Sequence, residues 1–252
     1  MHKLYFVLGV LLFVSVMPFF AVAEEDASSN QESLLQTSTM PSVLSGGEQV
    51  FEYFILRNNS QIGTYRFAVT PLNHQSQSKN EEPKPRFKIE THMQVKVKIL
   101  FVTAHSSNYH ATSVYEGEKL VRHEGLGEFN DKSYIVNFDA SENPDHFIVN
   151  ASGKKILYTP VTLHPLYLNV DEPNENKQNF MSLITEKGKQ RKITHKTIGK
   201  ERQKINSKDF QTIHTQIMGE INRQLWYDLQ GILLKVSYKK DGAQIILLRK
   251  DI

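Results

Sequence analysis

The stretch RFKIETHMQVKVKILF, Arg86 to Phe101, alternates apolar and polar residues, and this confines the chain to β structure more tightly than any other feature. Phe87, Ile89, Met93, Val95, Val97, Ile99 and Phe101 hold the odd positions. Arg86, Lys88, Glu90, His92, Gln94, Lys96 and Lys98 hold the even ones, with Thr91 and Leu100 as exceptions. A period of two sends one set of side chains to each face of a strand. At ~3.3 Å per residue the run would span ~50 Å, so in a compact domain it must bend by twist or by a bulge. Its apolar face either fills the protein's own core or lines a groove for an apolar ligand.

The rest of the chain repeats this grammar in shorter pieces. Alternating runs are punctuated at Asn58-Asn59-Ser60, Glu116-Gly117-Glu118, Asn130-Asp131, Ser152-Gly153 and Asp241-Gly242, the last being the strongest hairpin dipeptide. A further turn is expected near Gly199-Lys200. Asn176 to Gly188 reads as a short helix or a loop, with Phe180, Leu183 and Ile184 on one face. Consecutive hairpins without crossover helices predict a mainly β, antiparallel fold. A strongly curved sheet or open half-barrel follows, with at most one or two short helices.

The ends set the context. Lys3, an apolar run from Leu4 to Phe20 and the step Ala21-Val22-Ala23 have the order of a secretory signal peptide, predicting cleavage after Ala23. The same run approaches the length of an uncleaved membrane anchor. No Cys follows it, and none occurs anywhere, so the expected product is periplasmic or secreted, without a lipid anchor or disulfides. Residues 24–47 are rich in Ser, Glu, Gln and Thr and read as a polar tether, leaving 48–252 as a single β-rich domain.

A formal net charge of +3 over 252 residues is too balanced for a nucleic-acid-binding surface. The one charged block, Lys187 to Lys208, holds Lys187, Lys189, Arg191, Lys192, Lys196, Lys200, Arg202, Lys204 and Lys208 against a single acid, Glu201. On a hairpin turning at Gly199 these charges would project along neighbouring strands, either as solvated edge lysines or as a face for an anionic membrane surface. His110 and His123 could meet across a hairpin near Glu124, but too few ligands converge for a metal centre. There is no nucleophile elbow, no phosphate loop and no cofactor motif. An enzyme is not expected.

GEINRQLWYDLQGILLKVSYKKDGAQIIL carries a resemblance. Leu225, Trp226, Tyr227, Asp228 and Gly231, with Ile62, Gly63, Arg66 and Phe67 near the start, resemble a family of uncharacterised exported bacterial proteins of unknown function. The likeness runs from about Val50 to Leu248. It implies a periplasmic β-rich fold similar to the half-barrels of lipoprotein carriers, and no reaction. The favoured expectation is non-enzymatic binding of a lipidic or amphipathic ligand in the concave face, by Val95, Val97, Ile99 and Phe101 with Trp226 and Tyr227. The alternatives are an envelope or secreted interaction module with a fully packed core, and, below it, an esterase-like hydrolase.

Overall fold

The computed structural model of the chain describes residues 47–72, 85–99, 102–117, 119–140, 146–149, 154–157 and 178–252. The expected signal peptide, nearly all of the expected tether, Phe101, the side chain of Ile99 and the Ser152-Gly153 turn lie outside the described residues.

The described elements are all strands: β1 (Gln49–Arg57), β2 (Ser60–Leu72), β3 (Arg86–Ile99), β4 (Val102–Glu116), β5 (Lys119–Phe129), β6 (Lys132–Asp139), β7 (His146–Val149), β8 (Lys154–Leu157), β9 (Gln178–Ile184), β10 (Gln190–Ile205), β11 (Lys208–Gly219), β12 (Arg223–Tyr227), β13 (Leu233–Lys240) and β14 (Ala243–Arg249). They form one 14-stranded antiparallel sheet in the order β8-β7-β6-β5-β4-β3-β2-β1-β14-β13-β12-β11-β10-β9. The chain begins mid-sheet, where β1 pairs with β14, steps outward to β8, resumes at the other edge with β9 and steps back. The sheet is not closed into a barrel.

Turn chemistry explains the meander. Asn58-Asn59 (φ 47°, 67°), Asn130-Asp131 (47°, 65°), Asn206-Ser207 (49°, 69°) and Asp241-Gly242 (49°, 73°) all place two successive residues at positive φ. That pair is what a two-residue hairpin loop needs to match the strand twist, and Asn, Asp and Gly tolerate it best. Two expectations are corrected. No turn forms at Gly199-Lys200: β10 runs through it, paired with β11 on both sides of a bulge at Ile198, and the chain reverses at Asn206-Ser207. The described part of Asn176–Gly188 holds no helix either. Its Gln178–Ile184 pairs along β10, and Gly188 (φ 68°) serves a β-hairpin turn.

The ladder along the long strand is interrupted by a bulge, and the bulge sits on β4. In the β3–β4 ladder Val97 pairs with His105 but Lys98 with Thr103, so β4 carries one extra residue, Ala104. Away from the bulges, the odd positions of β2 to β5 form the inner face. Phe67, Phe87 and Ile89 are fully buried there, as are Ile217, Leu225 and Tyr227 from the other half of the sheet. Phe87 stacks on Tyr115 with ring centroids 5.3 Å apart, and the Tyr53 hydroxyl donates to the Leu233 carbonyl at 2.9 Å. One contiguous apolar cluster contains residues from β1, β3, β5, β6, β10, β11, β12 and β13. The sheet therefore rolls over its own inner face. The even positions of β3, from Lys88 to Lys98, point outward and are polar, unlike the apolar band of a lipid-facing barrel.

Candidate functional site

The inner face changes character along β3. Phe87 and Ile89 are sealed, whereas Met93, Val95 and Val97 are half-buried, with Met93 and Val95 packed against the edge of the core. The register places these half-buried residues at the sheet end that carries the Asn58-Asn59, Asn130-Asp131 and Asp241-Gly242 turns. Val95 lies opposite Ser107 and Ser107 opposite Phe129, while Val97 lies opposite His105. Over this row reaches the β9–β10 turn. Lys187 Nζ sits 4.6 Å from the Phe129 ring centroid and 5.5 Å from that of Tyr134. A Cβ on Gly127 would stand 3.2 Å from the Glu186 carbonyl oxygen. β5 and β9 are far apart in the sheet order, so this contact closes the roll at its mouth.

On the opposite wall Arg223 lies over the Tyr238 ring, Cζ to centroid 4.9 Å, and its Nε is buried with no hydrogen-bond partner among the described residues. Burial raises the Tyr238 hydroxyl's pKa, with Arg223 opposing and Glu186 adding to the shift. Burial, then the positive charges of Lys240 and Lys187, lower that of His105. The mouth is thus a half-exposed apolar wall ringed by Lys187, Lys240 and Arg223.

His105 Nε2 lies 2.7 Å from Ser107 Oγ. The pair puts an imidazole beside a hydroxyl where His105 and Ser106 of β4 are laddered to β3 alone, and the intervening Ser106 N–H donates to Asn130 Oδ1 at 2.8 Å.

The other histidines separate. His110 pairs with Leu126 and its ring meets that of His92 at 5.6 Å on the outer face, while His123 points inward. Among the described residues no cluster of His, Asp and Glu could hold a metal. His123 bonds Ser113 Oγ through Nδ1 at 2.8 Å, and burial pushes its pKa down to about 4, with Glu124 opposing. The unfolded chain takes up a proton near pH 6.5 and the folded chain does not until about pH 4, so stability falls across that window as pH drops. The fall should be at most roughly 3 kcal/mol. Urea melts of His123→Gln should lose most of this slope; an unchanged slope would place its origin elsewhere.

The basic block does not form one face. Lys187 caps the mouth, Arg191 pairs with Glu220 at 2.6 Å, and Lys189 and Lys192 are exposed. Past Ile198 the register shift moves odd residues to the outer side, so Lys200, Arg202 and Lys204 share the face opposite Lys192 and Lys196. The freed odd side latches the hairpin down. Trp226 Nε1 donates to Glu201 at 2.5 Å, His214 stacks on the Trp226 ring at 4.8 Å, and Lys235 Nζ lies 4.6 Å from its centroid. Burial would raise the pKa of Glu201, but the hydrogen bonds from Trp226 and Gln203 and the nearby His214 hold it down. Trp226 therefore packs on the outer face and Tyr227 in the sealed core, as neighbours on one strand must. Neither lines the mouth.

A concavity of about 840 Å³ lies at this end of β2 to β6 and takes in Val95 and Ser107. Its lining also includes the outward Gln94, Lys96, Asn108 and Glu128 beside Ile62, so it mixes polar and apolar surface. Reading the sequence missed His105, Arg223, Tyr238 and Lys240 as mouth residues. Only Lys240 carried a signal, since it directly precedes the Asp241-Gly242 turn and must therefore stand at a rim.

Residues 53–250 match a family described as Domain of unknown function (DUF6134). The chain belongs to this family. A search among curated proteins returns no match. Among solved structures, the chain is similar to a crystal structure of a beta-barrel-like protein of domain of unknown function DUF1849 from Brucella abortus. The identity is 10% and the TM-score 0.47, covering 81% of this chain and 94% of that one.

Proposed function

We propose that this chain is an exported, non-enzymatic binding protein that holds an amphipathic ligand at the mouth of its rolled sheet. The observation that carries the reading is the gradient along β3, where one apolar face passes from sealed core at Phe87 and Ile89 to a half-exposed wall at Val95 and Val97. An apolar wall left part-wet at the end of an otherwise closed core is the usual form of a small-ligand site. The polar exterior of β3 supports a ligand taken inside the roll rather than a lipid-facing surface. Export rests on the signal-like order of the first residues.

The sealed aromatic core supports the second reading, an envelope interaction module whose interior takes no ligand. Native mass spectrometry of protein purified without organic solvent separates the two. A lipid-sized adduct that gentle collisional activation removes is expected. A bare polypeptide mass from several expression hosts would favour the interaction module.

A further inference from the structure

The mouth has a charge as well as a shape. Lys187 and Lys240 both bear on His105, and Arg223 lies over Tyr238, so cations come to this end from β12, β13 and the β9–β10 turn. The acids that bear on the same two residues are Asp241 and Glu186. Lys187 is held over aromatic rings, and the Arg223 Nε–H is a buried donor without an acceptor among the described residues. A guanidinium donor in that state costs free energy that an anionic acceptor would recover. His105 adds no charge at neutral pH, because burial and the two lysines keep it unprotonated.

We infer that the mouth takes a single-chain carboxylate amphiphile, its chain against Met93, Val95 and Val97 and its head group among Lys187, Lys240 and Arg223. The inference rests on the amphiphile-binding reading and names the ligand class. A carboxylate head supplies the acceptor that the Arg223 Nε–H lacks among the described residues. Arg223 can offer its planar donors to both carboxylate oxygens while its face stays on Tyr238.

The test is displacement of Nile red, a neutral dye, at pH 8 by decanoate, decanol and decyl phosphate, which share one chain length. Decanoate should displace the dye at about tenfold lower concentration than decanol, the gain expected of one charge-assisted contact. The Lys187→Gln, Lys240→Gln double variant should cut that preference to about threefold or less. Arg223→Gln should do the same where melting shows it folded, and Lys200→Gln, on the β10–β11 hairpin, should keep the wild-type preference. Equal displacement by decanoate and decanol, or a folded double variant with an undiminished preference, overturns the inference and leaves amphiphile binding standing. Tighter binding of decyl phosphate than of decanoate overturns the carboxylate in favour of a phosphate head. Wild type that takes up no dye removes the binding reading beneath it.

Discussion

Gly63→Ala should be the most damaging single-methyl substitution in the protein, costing more than about 3 kcal/mol or preventing folding. A Cβ at Gly63 would stand 2.0 Å from the Gln94 carbonyl oxygen and 2.9 Å from the Val95 Cα. Both are backbone atoms of the neighbouring strand, so no rotamer change can clear them. Gly63 pairs with Ile55 on one side and Val95 on the other, next to the point where β2 carries an extra residue, Ile62. Here the roll brings backbones too close for any side chain. The damage would reach the mouth directly through Val95. Gly242→Ala is the control: nothing lies within 4 Å of its Cβ, but its φ of +73° is strained for alanine, a cost of about 1–2 kcal/mol. Urea melts of the two variants decide it. A Gly63→Ala midpoint no lower than that of Gly242→Ala would show that β2 and β3 are not so close.

An aspartate placed at the two ends of β3 should have opposite consequences. Phe87 has no exposure and stacks on Tyr115, so Phe87→Asp buries an unpaired carboxylate and removes a ring from the core. Removing the ring alone costs about 3–5 kcal/mol, and burying the charge adds to that, enough to exhaust the stability of an ordinary domain. Circular dichroism and melting should find no cooperative fold. Val97→Asp sits at a half-exposed position near Lys187 and Lys240, where water and cations can receive the charge. It should fold. A Val97→Asp chain as unfolded as Phe87→Asp would mean that the apolar face is core along its whole length.

Much of this architecture was legible because β structure writes itself locally. The alternation of Arg86 to Lys98 gave both faces of β3, and the Asn, Asp and Gly pairs gave the reversals at Asn58, Asn130 and Asp241. The misread positions share a cause. Gly199 resembles a turn glycine, yet β11 pairs across it, and the bulge at Ile198 inverts the facing of every basic residue beyond it. A one-residue insertion leaves no mark in composition, but it divides the Lys187–Lys208 block between two faces. The Gln178–Ile184 segment matched a helical face by spacing alone, and pairing with β10 overrode it. The mouth was half legible. Val95 and Val97 followed from the period of β3, but their cationic surroundings come from β12, β13 and the β9–β10 turn, brought near by the roll of a sheet whose curvature no single strand encodes.

The central claim is that one end of the inner face is open to a ligand while the rest is sealed. Nile red fluorescence, titrated against wild type and folded Val97→Asp at equal concentration, tests it most directly. Wild type should give a saturable, blue-shifted signal that Val97→Asp lowers about tenfold in affinity or abolishes. A wild-type chain that gives no saturable signal, or a folded Val97→Asp chain that binds as well as wild type, would contradict it.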